Sequence, residues 1–413
     1  MAIFSGSGSG IVGALDIGTA KVCCAIASVA DGSATLLGIG HQRSRGLKSG
    51  MIVDADEAER AVRAAVGQAE RMAGVSLERV ILSVNCGRVR TACFNARAPL
   101  EGPVVRDRDI DRILSAGEAY LDRSGRSVIQ LMRSDWRLDG AGPIAEPRGL
   151  AGRELAIGLT AVTADDGPLR NLVGVIERSH LAVERMVAAA YASALAVTTD
   201  DERRTGTVVV DLGAGITSIA AFADGRLVHI DSVPVGGNHV TYDIARELVT
   251  SVQEAERIKT LYGTLIKAAS NDGEVFAYPV AGEDEGAMHQ TSKAFVRDIA
   301  KPRIDGLIDL VAERMVSAGL LAKRMVLTGG ASQLLGLDRR WSDRLGTVAR
   351  IGRPQPIGRM PASMCTPSFA TVMGLLAAGA EGGYVQVRSG AGEPVRRERG
   401  YLDRMQRWIR ESF

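Results

Sequence analysis

The feature of this chain that most constrains its fold is a short unit that occurs twice, once near the N-terminus and once in the middle. The first copy places Asp16 to Gly18 between two apolar strands, and the second places Asp211 to Gly213 in the same setting. In each copy another turn follows, at Asp31-Gly32 and at Asp224-Gly225, and leads into a third strand. We interpret this repeat as an internal duplication, because chance rarely produces such a unit twice. Two copies that face one another would enclose a cleft.

The length of 413 residues predicts at least two lobes, each with its own core. We predict an α/β protein with two lobes, a small α+β subdomain inserted into the first lobe, and a C-terminal amphipathic helix. The predicted boundaries are 1–10 for a disordered Gly/Ser-rich N-terminus, 11–85 and 164–206 for the first lobe core, 86–163 for the inserted subdomain, 207–380 for the second lobe, 381–398 for a flexible linker and 399–413 for the terminal helix.

Hydrophobic periodicity predicts several helices. Apolar residues at helical spacing from Ala58 to Met72 predict a helix that covers the first sheet, with Asp54 or Asp56 as its N-cap. The small residues from Ala188 to Val197 predict a helix suited to close packing. Three further predictions are a loop at 139–152, polar irregular structure at 269–290, and a helix break or restart at Pro302.

Two aspartate turns on opposite sides of a cleft are suited to a metal ion and phosphate groups. Asp16 and Asp211 are the candidate ligands of Mg²⁺, which keeps much of its water shell and needs few carboxylates. Backbone amides in both turns, two threonine hydroxyls and one ammonium group supply hydrogen bonds and charge for phosphate oxygens. The candidate phosphate-binding residues are Gly18, Thr19, Ala20, Lys21, Gly213, Ala214, Gly215 and Thr217. The predicted ligand is a nucleoside triphosphate.

The charge balance and the cysteines exclude several classes of protein. With 50 Lys and Arg against 48 Asp and Glu, the chain has no overall basic field of the kind that nucleic-acid binders use, so we expect no nucleic-acid partner. Five cysteines are an odd number, and the adjacent pair Cys23 and Cys24 lies in an apolar strand, which favours reduced thiols in the cytosol. The sequence contains no run of 18 apolar residues, so it predicts no membrane-spanning helix.

The C-terminal residues 399–413 predict an amphipathic helix. Its apolar side comprises Leu402, Met405, Trp408, Ile409 and Phe413, and arginines lie away from that side. A helix of this length extends about 20 Å, which is too short to cross a bilayer and suits binding in the plane of its surface.

These motifs together resemble the actin-type ATPase superfamily and, in their details, the bacterial FtsA cell-division family. The resemblance extends from Ile11 to Phe413. It rests on the segments Ala14 to Lys21, Gly46 to Gly50, Asp211 to Gly215, Glu254 to Lys259, Thr328 to Ala331 and Trp408 to Phe413. It implies a bilobal actin-like fold, which is a duplicated ribonuclease-H-like fold, with ATP and Mg²⁺ as cofactors.

The resemblance also implies roles for single residues and partners for the chain. Glu256 and Lys259 match a helix that borders the ribose and adenine, and Gly329 and Gly330 match the turn that lines the adenine pocket. Arg303 matches an arginine at the site for the C-terminal tail of FtsZ, the tubulin-like division protein. The other implied partners are further copies of the chain in protofilaments, later division proteins at the inserted subdomain, and lipid on the cytoplasmic face of the inner membrane at the division site.

One departure from the wider superfamily concerns hydrolysis. Rod-shape actins and chaperone ATPases carry an acid before the helix that precedes the second phosphate turn, where it positions the attacking water. Residues Met186 to Thr199 contain no Asp, Glu or Gln, a gap that FtsA proteins share. We therefore expect ATP binding with weak or absent hydrolysis, and we assign no catalytic residue.

Two alternatives remain open at this point. A pilus-assembly relative of actin shares the nucleotide cleft and a similar insertion, but the terminal helix and the stretch Glu254 to Lys259 count against it. A small-molecule kinase also uses duplicated phosphate turns, but no carboxylate in the sequence clearly fits the catalytic acid that it would need.

Overall fold

The structure is a computed structural model that describes residues 10–30, 33–119, 125–267, 273–282 and 287–380. Its strands are β1 Gly10–Ile17, β2 Lys21–Ala30, β3 Ser33–Arg43, β4 Leu47–Lys48, β5 Met51–Ile52, β6 Arg79–Val84, β7 Arg90–Pro99, β8 Arg126–Leu138, β9 Ala141–Ile144, β10 Glu154–Asp165, β11 Ala182–Ala188, β12 Thr207–Leu212, β13 Thr217–Ala223, β14 Arg226–Val233, β15 Val275–Pro279, β16 Met288–Ser292, β17 Arg324–Thr328 and β18 Val348–Ile351. Its helices are α1 Ala55–Ala73, α2 Asp107–Ala119, α3 Asp166–Arg178, α4 Ala189–Val197, α5 Asp200–Thr205, α6 Gly237–Glu247, α7 Val252–Tyr262, α8 Lys293–Ser317, α9 Leu337–Leu345 and α10 Ala370–Ala380.

Two five-stranded sheets confirm the predicted duplication. The first has the order β3-β2-β1-β6-β11 and the second has the order β14-β13-β12-β17-β18. In both sheets the first three strands are antiparallel neighbours, and the remaining strands run parallel to the central one. The two copies therefore share strand order and direction, and each aspartate turn connects the central strand to its antiparallel neighbour.

Local sequence explains the ends of several elements. Asp224 and Gly225 both have positive φ, at 52° and 78°, as a two-residue hairpin turn requires. The equivalent turn, Asp31-Gly32, lies outside the described residues, although the strands on either side of it pair from Ala30 to Ser33. Asp54 caps α1 by accepting hydrogen bonds from the next two amides beyond Ala55, as predicted. Met72 was predicted on the buried face of α1 and is instead 58% exposed, while Ala73 beside it packs against Gly38 of β3.

A pair of helices, α4 and α10, packs between the two sheets. Almost every residue of α4 is buried, which explains why its sequence is apolar on all sides. Gly374 of α10 lies directly against the Ala192 carbonyl of α4, where a side chain would overlap with the backbone. Residues of both helices join one core with β1, β2 and β6. Helix α10 thus packs in the first lobe, although the sequence boundaries placed it in the second.

The inserted segment forms its own layer of strands with one helix. Its sheet has the order β7-β10-β8-β9, and α2 packs on one face around Trp136, Leu155 and Ile157. The segment 139–152, predicted as a loop, contains the short strand β9, which pairs with the end of β8. On the other face, Thr91 accepts a hydrogen bond from the Ile230 amide of β14, so the insert also contacts the second lobe.

Two predictions about the second lobe are wrong. Pro302 does not break its helix, since α8 is continuous from Lys293–Ser317 with the proline inside it. Pro302 lies on the exposed side of α8, while the opposite side is buried at Val296, Ala300 and Ile304, and this burial outweighs one missing backbone hydrogen bond. The second error concerns 269–290, where β15 and β16 form an antiparallel hairpin and Tyr262 of α7 stacks on Phe276 at 3.8 Å.

Other predictions fall outside the described residues. These are the disordered tract at 1–10 except for its last residue, the linker at 381–398 and the amphipathic helix at 399–413. Among the helices that the structure does describe, none is long and apolar enough to span a bilayer.

Candidate functional site

The two aspartate turns have the same backbone geometry. The Gly18 amide donates to the Lys21 carbonyl at 2.9 Å, and the Gly213 amide donates to the Ile216 carbonyl at 3.0 Å. These two amides close their turns, so they are not the phosphate donors that the sequence predicted. Among the residues that the structure covers, no acceptor is found for the amides of Thr19, Ala214 and Gly215. These are the amides that a ligand could use.

Helix α6 fixes the direction of the second turn. The carbonyls of Gly213 and Ala214 accept hydrogen bonds from Gly237 at 2.9 Å and Asn238 at 2.8 Å, the first residues of α6. Because N–H and C=O point in opposite directions across a trans peptide, the amides that share those peptide groups point away from α6. The second turn packs against the first, since a Cβ atom on Gly215 would lie 2.8 Å from the Thr19 hydroxyl. The amides of Ala214 and Gly215 therefore point away from α6, on a turn that lies against Thr19.

Both turn carboxylates lie in surroundings that disfavour their charge. Asp16 is buried and accepts a hydrogen bond from Ser83 at 2.7 Å, and burial raises its pKa despite that bond. Burial also raises the pKa of Asp211 to about 6, with a further contribution from the nearby Asp16. Hydrogen bonds from Ser193 and Thr371 to Asp211 act in the opposite direction. A divalent cation between the turns would relieve this repulsion, so the carboxylates fit a Mg²⁺ site.

The number of carboxylates is consistent with a hydrated ion and not with a closed protein cage. Across the described part of the chain, no group of three or more His, Cys, Asp or Glu side chains is placed to hold a metal. Mg²⁺ commonly binds through one or two carboxylates together with water and phosphate oxygens. Asp16 and Asp211 fit that pattern as a pair.

Lys21 directly follows the first turn and is close enough to both Asp16 and Asp211 for their charges to act on it. Burial lowers its pKa, while the charges of Cys23, Asp16 and Asp211 oppose the shift. Its ammonium nitrogen lies 3.5 Å from the centre of the Phe369 ring, a contact that the sequence did not predict. Ala20, beside it, is exposed on the same turn.

Thr217 differs from its predicted role. Its side chain is fully buried, and its hydroxyl donates to the Val235 carbonyl at 2.8 Å. The hydroxyl therefore connects β13 to the segment before α6, and a bond to phosphate would require this bond to break. The Thr19 hydroxyl, predicted to bind phosphate, is only partly buried. It accepts a hydrogen bond from the Gly50 amide at 3.1 Å.

Glu256 and Lys259 of α7 belong to one polar network beside the second turn. The Lys259 ammonium donates to Glu256 at 2.7 Å, to the Thr241 hydroxyl at 2.9 Å and to the Gly237 carbonyl at 3.2 Å. Thr241 also donates to Glu256 at 2.5 Å. This network connects α7 to the first turn of α6, which in turn orients the second aspartate turn.

The third glycine turn, Gly329-Gly330, lies beside the Asp211 carboxylate of the second turn. Gly329 has φ of 83° and follows β17, the parallel neighbour of β12. A side chain there would overlap with the Asp211 carboxylate, so only glycine fits. Gly330 next to it is exposed and begins a single turn of 3₁₀ helix, Gly330–Gln333. The structure therefore brings Asp211, Gly329 and Gly330 together, as the sequence predicted.

Arg303 is distant in sequence from these turns and lines a separate groove between α6 and α8. It makes a two-pronged ion pair with Asp243, with distances of 2.7 and 3.0 Å. The groove has a volume of about 710 Å³, and its apolar lining includes Phe295, Ile299 and Leu310. Phe295 and Leu310 are 46% and 39% exposed.

Sequence reasoning missed four residues that hold the turn carboxylates and Lys21. Ser83 is the penultimate residue of β6, the parallel neighbour of β1, so its position beside Asp16 was in principle predictable from the strand pattern. Ser193 comes from α4, Phe369 from the short turn just before α10 and Thr371 from the first turn of α10, and no local pattern marks them. Their positions depend on how the two helices pack between the sheets.

Solved structures with low sequence identity establish the class of this fold. The chain resembles the PilM–PilN type IV pilus biogenesis complex with a TM-score of 0.62 and 16% identity, over 90% of this chain and 98% of that one. It resembles MreB5 of Spiroplasma citri bound to ADP with a TM-score of 0.51 and 14% identity, over 89% of this chain and 95% of that one. The duplicated sheets and the facing turns define a bilobal actin-like protein.

Sequence relatives identify the family within that class. The chain is 36% identical to the cell division protein FtsA of Agrobacterium fabrum, over 98% of this chain and 95% of the relative. The family profile for cell division protein FtsA matches residues 208–374, and the profile for the SHS2 domain inserted in FtsA matches residues 87–163. This chain belongs to the FtsA family of cell division proteins.

Proposed function

We propose that this chain binds ATP with Mg²⁺ in the cleft between its lobes and acts as a membrane-attached scaffold of cell division. The observation that carries the proposal is the pair of carboxylates, the buried Asp16 and the partly buried Asp211, on two turns that lie against each other. In the described part of the chain the amides of Thr19, Ala214 and Gly215 have no acceptor, and the Lys21 ammonium lies near both carboxylates. The fold neighbour MreB5 is described as bound to ADP, which supports a nucleotide at the equivalent cleft.

The bound group would be held by this chain's residues in distinct ways. The turn amides and Lys21 would hold phosphate oxygens, Asp16 and Asp211 would hold the hydrated Mg²⁺, and Glu256, Lys259 and the Gly329-Gly330 turn would border the nucleoside. Mg²⁺ would supply positive charge that neutralises the phosphates. Since Met186 to Thr199 contain no acid, we propose binding with weak or absent hydrolysis, so that the nucleotide controls assembly.

The groove at Arg303 supports a second part of the proposal, the binding of the FtsZ tail. The groove combines apolar side chains with two arginines, Arg246 and Arg303, and with the acids Asp243, Glu247 and Asp298. Its apolar and basic groups suit a short peptide that carries both apolar and acidic side chains. Asp243 holds Arg303 through both of its oxygens, which leaves the remaining guanidinium N–H groups for a peptide carboxylate. We propose that this groove anchors FtsZ.

Membrane attachment rests on the sequence of the terminal helix, with Leu402, Met405, Trp408, Ile409 and Phe413 as the lipid-facing side chains. One such helix binds lipid reversibly, so firm attachment requires several helices on one filament. We propose that the chain forms actin-like protofilaments on the cytoplasmic face of the inner membrane at the division site. The inserted subdomain would contact later division proteins. Membership of the FtsA family disfavours the alternative of a pilus-assembly protein.

Two experiments test the proposal. Saturable MgATP binding by the purified chain, weakened at least tenfold by Asp211→Ala, is the expected result of calorimetry; no binding by either protein would remove the central claim. Electron microscopy on lipid monolayers with and without ATP tests the scaffold role. Filaments that depend on both lipid and ATP support it, and dispersed monomers under all conditions contradict it.

A further inference from the structure

A short segment that leads into α10 contacts all three glycine turns. Its Pro367 carbonyl accepts the Gly329 amide at 3.2 Å, which fixes the third turn. Its Phe369 ring lies 3.5 Å beneath the Lys21 ammonium of the first turn. Its Thr371 hydroxyl donates to the Asp211 carboxylate of the second turn at 3.3 Å. Five consecutive residues, 367 to 371, thus reach one residue of each turn, and we call them the bridging segment.

The bridging segment crosses the cleft. Asp211 lies near the end of β12 in the second sheet, whereas α10, which contains Thr371, packs on β1, β2 and β6 of the first sheet. The hydrogen bond from Thr371 to Asp211 therefore connects the lobes. Ser368 adds a second connection, since it accepts a hydrogen bond from Gln333 at 2.7 Å, just after the third turn.

Phe369 has a geometry suited to holding a cation. Its ring is half-buried, and it packs edge-on against His41 of β3 with 5.9 Å between the ring centres. The Lys21 ammonium lies over one face of the ring. A ring under one side of an ammonium leaves its other protons free, and Asp16 and Asp211 both act on the charge of Lys21 from nearby. The ammonium is therefore held in place while it can still donate to a further anion.

We propose that the bridging segment is a positioning element of the nucleotide site, in which Phe369 holds Lys21 and Thr371 holds Asp211 ready for the phosphates and their metal. This inference rests on the proposed function, and it assigns to the start of α10 a role that acts through other residues. A lysine side chain loses conformational entropy when it is fixed in one position. Because the bridging segment already fixes Lys21 in the free protein, less of this entropy is lost when the nucleotide binds. Nucleotide affinity then depends on residues that do not need to touch the nucleotide.

The test compares Phe369→Leu with Phe369→Tyr, which keeps the aromatic ring. A cation on an aromatic ring contributes about 0.5 to 2 kcal/mol, so we expect Phe369→Leu to weaken MgATP binding by about 2- to 30-fold while Phe369→Tyr matches the parent. Adenosine, which has no phosphate for Lys21, should bind all three proteins equally. Equal MgATP affinity for Phe369→Leu and the parent would overturn the proposal, and so would an equal loss of adenosine affinity, which would indicate a direct contact with the base.

A second measurement needs no nucleotide and separates this inference from the proposed function. In urea unfolding of the nucleotide-free protein, the shifts caused by Phe369→Leu and Lys21→Met should be non-additive, because each substitution removes the same contact. Additive shifts would contradict the contact itself. If the parent failed to bind MgATP while the shifts remained non-additive, the proposed function would fail and the pairing of Phe369 with Lys21 would stand.

Discussion

Replacing Asp211 with asparagine should stabilise the nucleotide-free protein while it weakens nucleotide binding. Burial raises the pKa of this carboxyl from its ordinary value near 3.8 to about 6. The native state therefore holds the proton more tightly than the unfolded chain does. The stability that this proton provides is fully present below about pH 4 and is lost as the pH rises through 6. At pH 7.5 the charged Asp211 is a cost, which a neutral asparagine side chain would remove.

The size of the effect follows from the shift. About two pKa units correspond to about 3 kcal/mol at a pH above both values, and access of water to the cleft reduces this to about 1 to 3 kcal/mol. Unfolding entropy of about 2 cal/mol/K per residue converts this into a rise in Tm of about 1 to 3 °C for a chain of this length. At pH 5 roughly half of the difference should remain, because the parent is then largely protonated.

The assay is thermal unfolding by calorimetry without nucleotide at pH 5 and pH 7.5, paired with a MgATP titration at pH 7.5. Asp224→Asn is the matched control, since that aspartate lies exposed in a hairpin turn that accepts asparagine equally well. The expected signature is a higher Tm together with lost affinity for Asp211→Asn alone. The argument that the charge of Asp211 destabilises the nucleotide-free protein would be refuted by either of two results. One is a Tm of Asp211→Asn that is equal to or below that of the parent at pH 7.5, and the other is a gain in Tm that does not shrink at pH 5.

Three other predictions concern the helices and the partners. In urea unfolding, Gly374→Ala should destabilise the protein by about 3 kcal/mol or more, because the added methyl overlaps with a carbonyl of α4. The control Gly306→Ala, on open helix surface, should stabilise it by up to about 1 kcal/mol. Similar effects for both variants would contradict the packing of α4 against α10. Arg303→Glu should reduce the affinity for an FtsZ tail peptide at least tenfold in fluorescence anisotropy. The control Arg314→Glu, on the same helix but outside the groove, should change this affinity little. Equal losses of affinity would argue for general charge attraction. Trp408→Glu should release the protein from anionic liposomes in sedimentation, and unchanged co-sedimentation would exclude the predicted helix as the anchor.

Much of the fold was predictable because it is encoded locally and then repeated. The Asp224-Gly225 turn dictates a hairpin by its backbone preference, and Asp54 starts α1 by capping it. Where a prediction failed, a distant contact outweighed a local preference. Pro302 remains inside α8 because the buried face of that helix supplies more free energy than one backbone hydrogen bond removes.

For the site, the sequence by itself determined which residues carry the chemistry: two aspartates, a lysine and glycine turns, recognisable because a duplication places the same types at equivalent positions. Only the tertiary structure decided how they are used. It turns the Gly213 and Ala214 carbonyls towards α6, commits the Thr217 hydroxyl to Val235, and brings Phe369 and Thr371 to Lys21 and Asp211. The physical reason is that local sequence sets turn type and strand register, whereas the burial of a charge and the choice of its partner depend on segments that meet only when both sheets pack on α4 and α10.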